Sequence, residues 1–326
     1  MKSGILIVSL DFELHWGVQS SRSIGEYGSN ILGARSVVES MLNMFSEYSI
    51  HATWASVGFL FAGNVEEVEK FLPSAGLRPT YGNDDCNSYR CLEWIREDEG
   101  LAKYFFAPNL IRKIVGSKHQ ELASHTFSHY FCKEDGQSLE QFKADADSLS
   151  KIGSDLLGVD LRTIIFPRNQ SDSRYVGALD DLGMIAYRGE EEDWIHTKMG
   201  SSSLMRMLRV LDSYLPLTGS GGYRPYETAE GVVNLKGSRF LRPYHKRLAI
   251  FEGLKMRRIK KQMRNAARKG LAFHLWWHPH NFGVRQEYHL KFLREIFEYY
   301  QTLSKEFGMR SLNMLEAARE FKETKP

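Results

Sequence analysis

The sequence predicts an α/β fold with a mainly parallel sheet curled toward a barrel. Three observations carry that expectation. Gly4 to Leu10 is a continuous apolar run rich in branched residues, the pattern of a strand buried on both faces. Short apolar runs then alternate with amphipathic helical stretches along much of the chain, which is the βαβ pattern of parallel sheets. Finally, carboxylates, arginines and histidines follow directly after several of the apolar runs, where α/β folds place their chemistry.

The totals narrow the field. With 326 residues the chain has ample material for a core, and we read it as one domain over 1–326. Hydrophobic residues at 42% and charged residues at 25% are those of a globular protein in water. A net charge of +3 gives no case for nucleic acid as a partner. The three cysteines, Cys86, Cys91 and Cys132, are an odd number without metal-type spacing, which argues against a disulfide framework and for a reducing compartment. The first apolar run is short and ends in acidic residues, so it reads as a strand and not a signal peptide. No apolar run reaches the roughly 18 residues that span a bilayer. A cytoplasmic location without a transmembrane segment is the expectation.

Taken in order, the first strand ends in Asp11-Phe-Glu13-Leu-His-Trp16-Gly17. If the backbone stays extended, Asp11 and Glu13 share a face. Gly33 to Tyr48 has a helical apolar face, and His51 to Gly58 reads as a second strand. Residues 59–109 are irregular and read as an insertion with one or two helices, one over Val65 to Phe71. Asn109 to Val115 reads as a helix and His119 to Ser124 as a short third strand. Ser138 with Gln141 forms a capping signature for a helix ending before Gly158. Leu161 to Phe166 and Met184 to Arg188 read as strands, with a helix over Arg174 to Leu182 between them. Residues 195–255 read as a second insertion. Lys255 to Lys269 carries eight Lys/Arg in fifteen residues beside an apolar stripe. It reads first as a solvated face, and second as a docking surface for an acidic ligand such as a nucleotide or lipid phosphate. Phe273 to Trp277 is a strand with His274, Trp276 and His278 on one face, the default for His274 being a satisfied core histidine. A helix over Tyr288 to Lys305, a strand near Met309 and a closing helix complete the chain.

The densest chemistry is His125-Thr-Phe-Ser-His129. On a helical turn the two imidazoles share a face and can bind one metal ion; on a strand they stand about 13 Å apart. Two surface histidines have the same spacing, and the carboxylates at the end of the first strand tip the balance toward a metal site. A His-His-carboxylate set leaves coordination positions open, as hydrolysis requires. A further carboxylate can act as base, a histidine off the metal as acid, and an arginine can hold the base ionised.

These residues resemble the polysaccharide deacetylase (NodB-homology) family, carbohydrate esterase family 4, most closely its O-antigen and capsule biosynthesis branch. His125-Thr-Phe-Ser-His129 fits that family's H-[ST]-x-x-H motif, and Asp11 matches its catalytic base. Phe12 replaces the usual metal-binding aspartate, so on the D-x-E pattern Glu13 becomes the ligand. The resemblance implies a distorted (β/α) barrel of about seven strands with insertions near 59–109 and 195–255. It implies one divalent metal ion, zinc first, held by Glu13, His125 and His129. Arg168 would support Asp11, and a backbone N–H at Asn169 or Gln170 would hold the oxyanion. His278 would be the general acid, with His280 as a substitute or substrate contact. Asp193-Trp194 resembles the family's fourth motif. Trp16, Trp194, Trp276 and Trp277 are candidate sugar platforms. The implied substrate is an N-acetylated sugar, whether nucleotide sugar, lipid-linked glycan or polysaccharide. Two rivals stand beside this reading: a same-fold amidohydrolase on a small ureide or cyclic imide, and a carbohydrate-binding protein with a structural metal.

Overall fold

Alternation along β1 (Ile5–Phe12) organises the molecule. A computed structural model describes residues 3–191, 195, 203–219 and 221–324. Every residue of β1 is buried, and the two faces bury against different partners. Leu6, Val8, Leu10 and Phe12 join the large outer core beneath the helices. Ile5 and Ile7 join a smaller core inside the curled sheet, with Ala55, Ala123, Ala186 and Ala272. Small residues at these inward positions let the sheet close tightly.

β1 pairs in parallel with β2 (Ala52–Ser56) on one side and β9 (Ala272–Trp277) on the other. The ladder continues from β2 through β3 (Gln120–Ser124), β4 (Thr163–Ile164), β5 (Ala186–Tyr187) and β7 (Val233–Asn234). Short β6 (Tyr226–Glu227) is antiparallel to β7, and β10 (Arg310–Leu312) adds to the start of β1. The β7 chain then runs on into β8 (Arg239–Phe240), which pairs in parallel with β9. One extended segment thus hydrogen-bonds to β5 through Leu235 and to Gly189 beyond it through Gly237, then to the β9 strand through Ser238 and Leu241. It closes a distorted (β/α) barrel, as expected. The closing stave lies within the 195–255 stretch, and its Val232, Val233 and Leu235 are fully buried.

The helices wrap the outside. α1 (Ile24–Tyr48) begins nine residues earlier than its periodicity suggests. Ser23 and Glu26 form a reciprocal capping box there, and the polar Gly25–Asn30 stretch hides the apolar spacing. The 59–109 stretch folds as α2 (Val65–Glu69), α3 (Tyr89–Glu97) and α4 (Ala102–Phe105) with turns between, and its Phe59, Phe61 and Phe105 are buried in the outer core. α5 (Pro108–Gly116) and α6 (Leu139–Leu157) follow, the latter with the expected Ser138–Gln141 cap and Gly158 in the left-handed conformation. After α7 (Ser173–Gly177) and α8 (Ser203–Asp212) come α9 (Glu252–Lys269), α10 (Gln286–Phe307) and α11 (Met314–Glu323). Met314, Ala317 and Ala318 of α11 plug the bottom of the barrel. The three cysteines are buried and free.

Candidate metal centre and active site

Register and alternation together assemble the site. Leu10 stands level with Trp277, and Phe12 with Ser56, which stands level with Ser124. The next inward residues are therefore Asp11 and Glu13, His125 and His278, all at the C-terminal rim. Ile164 stands level with Tyr187, so Arg188 arrives at the same rim.

Glu13 Oε2 lies 3.1 Å from Nε2 of His125 and 3.1 Å from Nε2 of His129. All three side chains are buried, and they form a group able to hold one metal ion. The donor chemistry fits a cation. His125 Nδ1 donates to the Ile165 carbonyl at 2.8 Å, so a neutral His125 turns a bare lone pair toward a carboxylate oxygen. Two acceptors that face each other at hydrogen-bond distance need a proton or a metal ion between them. Burial lowers the pKa of His129 despite the opposing pull of Glu13, which favours the neutral, ligating form. Burial also works against ionisation of Glu13, yet His278, His125 and His129 hold its carboxyl well below the usual value. A Cβ on Gly17 would fall 1.9 Å from that carboxyl, so glycine there gives Glu13 its place.

The histidine pair sits on a tight loop and not on a helical turn. Thr126 (φ 63°) and His129 (φ 58°) are both left-handed, which costs energy for non-glycine residues. Asp145 of α6 compensates by accepting from the backbone N–H groups of Phe127 (2.7 Å) and Ser128 (3.1 Å), and from the Ser128 hydroxyl. Thr126 Oγ1 adds a bond from Tyr130 N at 2.6 Å. Together these bend the loop so that both imidazoles meet Glu13.

The arginine assignment needs correction. Arg168 does not approach Asp11: it pairs with Glu134 at 3.1 Å, bonds Ser20 and lies over the Phe131 ring. Arg188 holds Asp11 instead, through two bonds of 2.7 Å. It is buried, lies over Trp276 at 4.1 Å, and also donates to Ser9 Oγ and Asn169 Oδ1. Burial would raise the pKa of Asp11, but Arg188, joined by His278 and His125, outweighs it and holds the carboxyl below its ordinary value. The physical reason for the difference is the turn after β4. Arg168 and Asn169 both have positive φ there, which turns the Arg168 side chain out to the surface. A charged residue directly after a short buried strand was the signal for Arg188, the same one that marked Asp11.

Other assignments separate cleanly. The backbone N–H groups of Asn169 and Gln170 are spent inside the turn, on Phe166 O and Pro167 O, so neither is an oxyanion donor. The Asn169 side chain positions Arg188, and Gln170 Oε1 accepts from Lys133 N. His278 Nε2 stands 3.6 Å from both Asp11 Oδ2 and Glu13 Oε1, and its side chain is 23% exposed. His280 is buried behind it, 3.9 Å from Glu13, and burial lowers its pKa to about 3. Asn281 bridges Tyr27 and His278: it accepts from the Tyr27 hydroxyl at 3.0 Å and contacts His278 Nδ1 at 3.4 Å. His274 is the satisfied core histidine, bonded to Leu235 O and Ser9 Oγ.

Of the tryptophans, Trp276 lines the cleft, with Phe240 at 4.6 Å and His278 at 5.8 Å between ring centroids. Trp16 and Trp277 are not platforms. Trp16 is fully buried, donates to Phe105 O and packs on Phe59; Trp277 faces outward into the core against Phe45 and Phe282. Asp193 and Trp194 lie outside the described residues. A cleft of about 300 Å³ opens beside Trp276 and Phe240, with Arg168, Arg209 and Arg242 and the carboxylates of Glu190 and Glu191 also on its wall.

No family model and no curated protein sequence matches the chain. Solved structures do match in shape. A putative polysaccharide deacetylase from Mycobacterium smegmatis superposes with a TM-score of 0.61 at 14% identity, covering 99% of this chain and 93% of that one. The PuuE allantoinase gives 0.59 at 13%, covering 100% and 92%. A probable polysaccharide deacetylase from Pseudomonas aeruginosa PAO1 gives 0.56 at 14%, covering 100% and 93%. The chain has the fold of the polysaccharide deacetylases. At these identities the likeness is one of fold.

Proposed function

We propose that the protein is a metal-dependent hydrolase that removes N-acetyl groups from an amino sugar or glycan precursor. The observation that carries this reading is the pairing of two separate devices on one rim. Glu13, His125 and His129 converge on a single point, and Asp11 and His278 stand beside it without belonging to it. A structural metal or a plain sugar-binding site has no use for a buried base held ionised by its own arginine.

Glu13, His125 and His129 would hold the ion, with zinc the first to test. When bound, it supplies Lewis acidity toward the amide carbonyl and a lowered pKa for its water. Asp11 takes the proton from the attacking water, and Arg188 keeps it ionised and oriented for that task. His278 gives a proton to the departing nitrogen, so that acetate and a free amino sugar leave. Trp276 and Phe240 offer an apolar wall against which a sugar ring can rest. The resemblance to the O-antigen and capsule branch makes surface-polysaccharide precursors the substrates to try first.

The likeness to the PuuE allantoinase supports a second reading, hydrolysis of a small ureide by the same groups. Turnover of N-acetylated sugars against ureides separates the two. For the mechanism itself, Asp11→Asn is expected to abolish turnover and to leave the metal content of the purified protein unchanged. Loss of metal in that variant would make Asp11 a ligand and overturn its role as base.

A further inference from the structure

The surface beside the cleft carries a second feature that the reaction does not use. α8 buries Met205 and Asp212 but leaves Leu204, Met207 and Leu211 exposed at helical spacing, with Leu215 beyond its end. A neighbouring 3-10 turn, Lys246–Phe251, presents Ile250 at 83% exposure and Phe251 at 39%. The two segments adjoin: the Tyr214 and Phe251 rings lie 6.1 Å apart, and the Tyr214 hydroxyl donates to Glu252 at 3.3 Å. Among the described residues two adjoining segments thus hold large apolar side chains in water, which a protein without a partner there seldom keeps.

Charge decides what the partner is. Over 203–219 and 245–261 the only carboxylates are Asp212 and Glu252. Both are buried and bound, Asp212 by Arg239 and Arg258, Glu252 by Lys255. The exposed charges of these segments are therefore all positive: Arg206 on α8, Lys246 and Arg247 just before Ile250, then Arg257 and Lys261 along α9. Protruding Leu, Met, Ile and Phe set among exposed lysines and arginines match the interface of an anionic bilayer, where apolar tips enter the acyl boundary and cations meet headgroups. Among the described residues no helix is long and apolar enough to cross a membrane, so contact here is peripheral.

We infer that the α8 face and the Lys246–Phe251 turn dock the protein on a lipid bilayer bearing anionic headgroups. Arg209, on α8 itself, lines the cleft, so docking would set the cleft mouth at the membrane surface. Vesicle binding is read without turnover, so this inference stands or falls apart from the hydrolase reading.

The test is co-sedimentation of the full chain with phosphatidylcholine vesicles, with and without phosphatidylglycerol. The protein should pellet with the anionic vesicles, and binding should weaken with added salt. Lys246→Ala with Arg247→Ala should weaken it by about fivefold for each residue. Ile250→Asp should weaken it by about tenfold or more, with the thermal transition unchanged because the side chain is already in water. Absence of pelleting, equal pelleting on uncharged vesicles, or full binding by Ile250→Asp would each overturn the inference. So would a concentration-dependent dimer that Ile250→Asp dissolves, with no binding to vesicles.

Discussion

The two ends of the barrel both bury carboxylates, and they handle them in opposite ways. At the lower end, Glu121 points inward from β3 and, among the described residues, is met by neutral donors: the hydroxyls of Thr53 and Thr163 and the backbone N–H of Leu315. Burial dominates there and raises its pKa. At the upper end, Asp11 and Glu13 are just as buried, yet charged or polarisable partners hold both below their usual values. His125 lies on the same strand face as Glu121, four residues on, so the contrast develops along roughly 13 Å of one strand. A carboxylate met by neutral donors closes a barrel end. Carboxylates met by arginine and imidazoles stay ionised, ready to bind a cation or take a proton.

If that contrast is right, the largest effects belong to the upper end. His125→Ala should remove the metal, measured by elemental analysis, and reduce activity to background. Full activity without metal would break the scheme. Next comes Arg188→Met, expected to lower kcat/KM by about 10²- to 10³-fold, the lower part of what a general base contributes. It removes the largest influence opposing burial at Asp11 and leaves His278 and His125, so the pKa of Asp11 rises and the acid limb of the pH–rate profile moves upward. Breaking a buried pair also costs about 3–5 kcal/mol of stability, which a melting curve would read. Arg168→Ala is the internal control: its surface pair with Glu134 is worth no more than about 1 kcal/mol, and the acid limb should stay where it is. A shift of that limb in Arg168→Ala would restore the assignment suggested by the sequence.

Asp145→Ala should act between the two classes. It strips acceptors from the buried N–H groups of Phe127 and Ser128, at about 1–3 kcal/mol for each orphaned group. The strained loop then loses its clamp, so metal affinity should fall with stability while the residues of the site stay intact. Retained affinity would show that Thr126 and the strand alone set the loop.

What the sequence made legible was period and spacing. The two-residue alternation of β1 and β9 placed Asp11 with Glu13 and Trp276 with His278, because each strand end has one inward face. It could not rank arginines, because Arg188 and Arg168 both follow short apolar runs and only the left-handed turn at Arg168 and Asn169 separates them. The same limit applied to tryptophan. Trp276 and Trp277 are adjacent, and the face that became interior depended on which way the sheet curled. Trp16 lies inside the turn Leu14–Gly17, where Leu14 has a positive φ that the sequence does not announce. The closing stave at 233–241 was hidden for another reason: its paired stretches, two residues each, carry no periodic signal.

The smallest and most selective test returns to Glu121. Its raised pKa means that folding favours the protonated form. That contribution to stability is complete below the unfolded carboxylate value, near 4.5, and is lost as pH rises through the higher folded value. Glutamine keeps a carbonyl oxygen for the Leu315 N–H and the Thr53 hydroxyl, and its amide can donate to the Thr163 hydroxyl, which is free to rotate. Glu121→Gln should therefore hold or raise the melting midpoint at neutral pH, by about 2–4 °C for each kcal/mol gained. It should also flatten the decline of that midpoint between weakly acid and neutral pH. Activity and metal content should not change. A sharp loss of stability would mean that Glu121 is ionised and needed as a charge, and the lower end would then resemble the upper one in kind.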